Sequence, residues 1–326
     1  VQTAGKIRTG LFGVDLALGE PLLPALGIPK RSILELYGLP GRGKSSLGLY
    51  LGGCVQPQGR LIYNWLEAID PSYLLSAAAQ SGFDGVIKLI DHWEAGKDPE
   101  KDPPRSHEEM FAAADSLLWM PDSGCYILDA IAGVRSRAMR EGEYGEAFWG
   151  QRAKLMNMHS LRVEGALNDR PNGDCLAIFL NHVHVDMANK MNYTAYITPG
   201  GVGKEFAAAA RIHLKSVDPK EVKKIEGVEM SRGVVEKLRF GGKGREFVIA
   251  ILPSQGVSRE LTALIDCVSL GLADRDTVVS VKGQGKAKTK SLGRIGVLVQ
   301  KAYERDVETF APLFEALEGY EHEHYA

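Results

Sequence analysis

The chain has 326 residues, 44% of them hydrophobic and 25% charged, with a formal net charge of −2. That length suits one large domain plus a small one, the apolar fraction needs no disulfide support, and the near-zero charge excludes a polycation, so any nucleic-acid site has to be a local patch. Cys54, Cys125, Cys175 and Cys267 stand far apart with no C-x-x-C pair, which argues against a disulfide or zinc framework and for buried, reduced thiols in a cytoplasmic protein. No apolar run approaches the roughly 18 residues of a membrane span, and no signal-peptide pattern opens the chain.

Arg8 to Gly19 reads as a turn and a short apolar helix closed by glycine, and Gly27-Ile28-Pro29-Lys30-Arg31 as a turn leading into a strand at 32–37. Gly38-Leu39-Pro40-Gly41-Arg42-Gly43-Lys44-Ser45 follows, matching G-x-x-x-x-G-K-[ST], with a helix from Ser45-Ser46 onward. In such a loop the backbone N–H groups cradle phosphate oxygens at a helix N-terminus, the lysine reaches the β- and γ-phosphates, and the hydroxyl holds Mg²⁺. The strand before it and the helix after it make this a strong signal for a nucleoside triphosphate. A near-continuous apolar strand spans 60–66, Asp70-Pro71 starts a helix through about Ser81, and 86–90 is the next strand. A polar loop from Glu94 ends in Ser106-His107-Glu108-Glu109, a capping box that predicts a helix to about Trp119.

Buried strands are expected at 124–129 and 175–181, with a helix from Gly150 to about Val163 between them. Further strands follow at 211–214, 234–240 and 246–252. Alternating strands and helices imply an α/β core with a mainly parallel sheet. From about Ser258 the pattern changes to helix, short strands and helix, so the division expected is a core at 1–257, with an entry segment at 1–25, and a small α/β C-terminal domain at 258–326. The Glu321-His322-Glu323-His324 end is expected to be disordered.

In an open parallel sheet ligands gather at the carboxyl ends of the strands. Asp129 ends one and is the expected acid for Mg²⁺. Glu67 ends its neighbour, where a carboxylate either activates the water that attacks the γ-phosphate or begins a helix. His182 follows a third strand, as a γ-phosphate sensor or a locally bonded histidine. His182 and His184 lack further ligands at convincing spacing, which argues against a metal there.

Together these residues resemble the RecA family of ATP-dependent strand-exchange proteins, and the resemblance covers nearly the whole chain. It is carried by Arg8-Thr9-Gly10, Leu16 to Gly19, Gly27 to Arg31, Glu67, Asp70-Pro71-Ser72-Tyr73, Asp129, Glu141-Gly142-Glu143-Tyr144-Gly145-Glu146, Asn181 and Gly200-Gly201. His182 after Asn181 is similar to the phage (UvsX-type) recombinases of the family. The resemblance implies a DNA-dependent ATPase that binds ATP and Mg²⁺, forms a filament on single-stranded DNA and pairs it with duplex DNA in homologous recombination and repair. A single-strand-binding protein and a loader are further implied partners, and no membrane.

It makes Glu67 the catalytic base and His182 the sensor, and sets Asp70 and Tyr73 at the adenine. It implies two DNA-gripping segments. One, at about 141–150, has Tyr144, Phe148, Trp149 and Gly150; the other, at 182–203, has Met187, Lys190, Tyr193, Tyr196, Gly200 and Gly201. Aromatic faces and backbone amides suit single strands. Lys154 and Arg162 match cations of the following helix. Arg239, and Lys243 as a candidate, would reach a neighbour's γ-phosphate. Lys282, Lys286, Lys288, Lys290 and Arg294 form a basic stretch without acids, expected to meet duplex DNA. On the resemblance the chain begins almost at the core, so filament contacts usually made by an N-terminal helix and strand would be made otherwise. The other classes considered are a ring-forming RecA-fold motor or timer and an ATP-binding DNA-binding paralogue without turnover. The 141–146 block and Gly200-Gly201 argue against the first, and Lys44, Ser45, Glu67 and Asp129 against the second.

Overall fold

Six apolar runs that alternate with helices, and three partly polar strands beyond them, join into one nine-stranded sheet. The computed structural model describes residues 5–19, 25–93, 104–143, 148, 150–170, 174–185, 196–239, 243–275, 278–282 and 289–325. In chain order the elements are β1 (Lys6–Ile7), α1 (Phe12–Leu18), β2 (Ile28–Pro29), β3 (Ser32–Gly38), α2 (Lys44–Gly53), β4 (Arg60–Trp65), α3 (Pro71–Ala79) and β5 (Val86–Ile90). Then come α4 (His107–Leu118), β6 (Ser123–Asp129), α5 (Arg137–Glu141), α6 (Gln151–Asp169), β7 (Leu176–His182), β8 (His184–Val185), β9 (Tyr196–Ile197) and α7 (Gly203–Ala207). The chain continues through β10 (Ala208–Ser216), β11 (Glu229–Leu238), β12 (Glu246–Leu252), β13 (Gly256–Ser258) and α8 (Arg259–Ser269). It ends with β14 (Ala273–Arg275), β15 (Val278–Val281), β16 (Lys290–Arg294), α9 (Ile295–Tyr303) and α10 (Val307–Tyr325).

The large sheet has the order β13-β12-β11-β10-β3-β7-β6-β4-β5. Strands β10, β3, β7, β6, β4 and β5 run parallel, which brings the ends of β3, β4, β6 and β7 to one edge. The remaining three strands add antiparallel neighbours. Helices cover both faces, as a parallel sheet requires. Leu47, Leu49 and Leu51 of α2 pack with Leu74 of α3 over Leu34, Ile127 and Ile178 on one face. Met110, Phe111 and Ala114 of α4 and Met156 and Val163 of α6 pack on Tyr126, Leu128 and Phe179 on the other. A third cluster gathers α8, α9 and α10 around Val279 and Val281, and extends to Phe12, Ala250 and Leu252.

Most expected elements stand where the residue pattern puts them, and the capping box is complete: Ser106 N donates to Glu109 Oε2 at 2.7 Å and Glu109 N to Ser106 Oγ at 3.3 Å. Three differ in length. Strand β10, expected at 211–214, spans Ala208–Ser216, because pairing with β3 on one side and β11 on the other extends it at both ends. Strand β11 begins at Glu229, ahead of the apolar residues, because antiparallel pairing with β12 lets polar side chains face outward. Helix α6 continues to Asp169. One expectation is overturned: residues 321–324 are helical, the last turns of α10. Arg8 holds them, its Nη1 and Nη2 each donating to a different oxygen of Glu321 at 2.7 Å.

Candidate nucleotide and DNA site

The phosphate loop turns between β3 and α2, and its conformation depends on glycine where the chain turns left-handed. Gly43 has φ 72°, and a Cβ there would stand 2.2 Å from Ile251 Cδ1. Residues 40–46 line a cavity of about 440 Å³ together with Glu67, Tyr73, Asp129, His182, Glu229 and Pro253. The structure thus brings together Pro40, Gly41, Arg42, Gly43, Lys44, Ser45 and Ser46 with the acids and the histidine that end the neighbouring strands. Gly38 and Leu39 meet them through their carbonyls, which accept from Lys44 Nζ at 3.1 and 3.0 Å. Burial lowers the Lys44 pKa, and Asp129 and Glu67 act against that shift.

Asp129 is 5% exposed. Its Oδ2 accepts from Ser45 Oγ at 2.8 Å and from the Tyr63 hydroxyl. Burial pushes the Asp129 pKa up, with Glu67 adding to the shift and the Tyr63 and Ser45 hydrogen bonds opposing it. A buried carboxylate held beside a hydroxyl is a fitting seat for a hard cation, which would relieve the cost of keeping that charge out of water. Glu67 and His182 meet directly: His182 Nε2 lies 2.8 Å from Glu67 Oε1 and 3.1 Å from Oε2. Tyr73 shares a hydrogen bond with Ser46 Oγ. Asp70 stands outside the lining residues, capping α3 by accepting from Ser72 N at 2.9 Å.

Behind this cavity lies a buried charge cluster. Glu35 on β3 and Lys204 on α7 are each 1% exposed. Glu35 Oε1 receives Lys204 Nζ and Asn181 Nδ2, both at 2.9 Å, and its Oε2 receives Arg211 Nε at 2.6 Å. Burial pushes the Glu35 pKa up, but Lys204 and Arg211 outweigh it and hold the group below its ordinary value. Asn181 also donates to Pro199 O at 3.0 Å, and Lys204 to Thr198 Oγ1 at 2.8 Å. The phosphate-loop strand, the strand that ends in His182 and the end of the 182–203 segment therefore share one network.

Gly200 and Gly201 have φ 101° and 75°; a Cβ on Gly200 would stand 2.7 Å from Ile131 Cγ2, and one on Gly201 2.7 Å from Ala153 Cβ of α6. That sets Gly201 beside the start of α6, where Gly150 (φ 74°) is the N-cap and Lys154 is exposed. Arg162 is further along the same helix, 3.4 Å from Asp115. Arg239 is remote from the cavity and donates to Phe206 O and Ala207 O at 3.1 and 3.2 Å. Lys243 and Lys290 are exposed. Trp149, Met187, Lys190, Lys286 and Lys288 lie outside the described residues.

A family model for the RecA N-terminal domain matches residues 2–258. The chain belongs to the RecA family. It is 26% identical over 264 residues to Protein RecA of Clostridium botulinum (strain Alaska E43 / Type E3), covering 80% of this chain and 67% of that one. It is 28% identical over 269 residues to Protein RecA of Acinetobacter baylyi, covering 82% and 70%. With Protein RecA of Rhodospirillum centenum the identity is 26% over 315 residues, 94% of this chain and 81% of the other. A crystal structure of the RadB recombinase shares the fold, with a TM-score of 0.52 and 16% identity, over 77% of this chain and 98% of that one. Within the RecA core, several contacts were not foreseen from sequence: Tyr63 on Asp129, the Glu35–Lys204–Arg211 cluster, and Ser231 Oγ, which donates to Arg42 O of the phosphate loop at 2.9 Å. Lys237 was also missed. Its Nζ donates to Glu205 O at 2.5 Å, on the same carbonyl end of α7 as Arg239. In each case the partners are far apart in the chain; the alternation of β11 is the one local signal, since it puts Lys237 and Arg239 on a common side.

Proposed function

We propose that this chain is an ATP-dependent DNA recombinase: a DNA-dependent ATPase that assembles on single-stranded DNA and pairs it with a homologous duplex in recombination and repair. The observation that carries the reading is the continuity from Glu67 through His182 and Asn181 to Pro199 and Lys204. It links the candidate hydrolytic site to the segment expected to grip DNA. The RecA relatives support the activity, and Mg²⁺ bound by Ser45 and Asp129 would supply charge neutralisation at the phosphates.

On this reading Lys44 exchanges two loop carbonyls for phosphate oxygens. Glu67 accepts the proton of the attacking water. His182 contacts the γ-phosphate, and doing so competes with its hydrogen bond to Glu67, so the base and the sensor are set by one event. The His182 backbone N donates to Asn181 Oδ1 at 3.0 Å, and movement there is felt at Glu35, Pro199 and Lys204. The ATP state then favours the DNA-gripping arrangement by differential contact. Tyr73 flanks the base of the nucleotide. Arg239 and Lys243 complete the γ-phosphate site of an adjacent subunit, and Lys237, beside Arg239, is a third candidate. Residues 1–257 form the ATPase core, and 258–326 form a small unit whose basic stretch around Lys290 meets duplex DNA. The work is done where DNA is accessible, in the cytoplasm; among the described residues no helix is long and apolar enough to cross a membrane. His182 after Asn181 favours a phage-type recombinase over a bacterial one.

The test is the ATPase rate with and without single-stranded DNA, for the wild type and Glu67→Gln. Stimulation by DNA in the wild type, and DNA binding without turnover in the variant, are the expected results. Wild-type hydrolysis indifferent to DNA, or closed rings in micrographs, would sink the reading.

A further inference from the structure

A second polar cavity opens near the end of β5, away from the nucleotide. It encloses about 340 Å³, and its lining includes His92, Arg105, His107, Arg135, Arg137 and Arg140; among the described residues no aspartate or glutamate lines it. Its walls are held from outside. Arg137 N donates to Glu108 Oε1 at 2.9 Å, and Arg137 Nη2 to Glu109 Oε1 at 3.1 Å. Arg140 Nη1 donates to Pro104 O at 2.8 Å, and its Nη2 lies 3.5 Å from Glu141. Arg135 makes no ion pair among the described residues, while its backbone N donates to His107 Nδ1 at 2.8 Å. Burial, then His92, Arg135 and Arg140, push the His107 pKa down to about 4, so the ring is neutral and serves as an acceptor.

Arginines that share one cavity give it a positive potential, which the flanking acids Glu109 and Glu141 offset in part, and an anion inside it gains attraction from every guanidinium. Their planar forks suit phosphate oxygens better than a point cation does. The position adds a source. Residue 140 in α5 directly precedes the 141–150 segment.

We infer that this cavity is a phosphate-binding site that receives a backbone phosphodiester of DNA running beside residues 141–150. The source of the phosphate rests on the DNA-binding reading above; the anion chemistry stands without it. The test compares the full-length wild type, Arg135→Ala and the Arg135→Ala/Arg140→Ala double variant. One arm measures binding of a labelled oligothymidylate across a salt series with a non-hydrolysed ATP analogue. Each lost contact should lower the slope of log K against log salt by about 0.7, so by about 1.4 in the double variant, with nucleotide affinity unchanged. The exposed Arg135 makes the single variant safe to fold, which keeps the result readable if the double variant is destabilised. A second arm follows Trp93, which lines the cavity and is 42% exposed, by fluorescence as inorganic phosphate is added. Phosphate response lost in the variants, with the DNA slope unchanged, would keep the anion site but assign it to free phosphate. Unchanged slopes and unchanged phosphate response would overturn the inference. Wild-type protein that binds no DNA at any salt would defeat the recombinase reading instead, and leave the phosphate arm to decide this one.

Discussion

Asp129 shows how one side chain is prepared for a ligand. Its carboxylate sits at the end of a strand buried along its whole length, with two hydroxyls aimed at the same oxygen. Burial raises its pKa, which means the ionised form is costly at neutral pH. A cation bound beside Ser45 removes that cost, and stabilises the folded chain by mass action. Adding Mg²⁺ with a non-hydrolysed ATP analogue should therefore raise the melting temperature of the wild type, and the rise should fade at acid pH as the carboxyl protonates. Asp129→Asn should give at most a small rise at any pH. A full Mg²⁺-dependent shift in the variant, read by thermal denaturation, would remove Asp129 from the cation site. The acid itself was legible in the sequence because it ends an apolar run at a position the phosphate loop makes meaningful. Tyr63, which holds it, was not: a tyrosine inside an apolar strand reads as core until the sheet order sets β4 beside β6.

At the scale of elements, the joints between helices and strands separate what local pattern reveals from what it hides. The α4 start is local, because Ser106 and Glu109 satisfy each other within one turn, and it was read correctly. The joint between α1 and α8 is not local. Gly13 N donates to Asp266 Oδ2 at 3.0 Å across 253 residues, and burial, with Asp15 adding, pushes the Asp266 pKa up to about 7. The sign of the consequence is fixed by linkage. An aspartate titrates near 3.9 in the unfolded chain, so between about pH 4 and pH 7 the folded state holds the proton more tightly. The contribution of Asp266 is therefore complete at low pH and is lost as pH rises to about 7, with a ceiling on the order of 4 kcal/mol. Asp266→Asn keeps an oxygen to accept from Gly13 and cannot titrate. The stability of the variant relative to wild type should rise with pH over that window, followed by denaturant unfolding at pH 4.5, 6 and 8 on the order of a unit and a half apart. A constant difference would show that Asp266 is ionised throughout. The Arg8–Glu321 pair belongs to the same class: polar C-terminal residues look disordered in sequence, and become helix because a partner 313 residues away holds them.

At the scale of the whole molecule, the cations expected at a γ-phosphate do not meet this chain's own phosphate loop. Arg239 and Lys237 both rest on the carbonyl end of α7, beside Phe206, which is 74% exposed. An exposed large aromatic ringed by cations and backbone carbonyls is the kind of surface that a neighbouring copy covers in a head-to-tail assembly. Hydrolysis would then need Glu67 from one subunit and Arg239 from the next. Two inactive variants make that division measurable. Glu67→Gln supplies an intact Arg239 to its neighbour, and Arg239→Ala supplies an intact Glu67 within itself. Mixed in equal amounts on single-stranded DNA, with random order along a head-to-tail filament, about one site in four combines a working base with a working cation. The mixture should recover about a quarter of wild-type ATPase activity, although neither variant alone turns over. Recovery should disappear when the two substitutions are combined in one chain and mixed with either single variant. If the mixture stays as inactive as its components, Arg239 acts within its own subunit or not at all, and the composite site has to be abandoned.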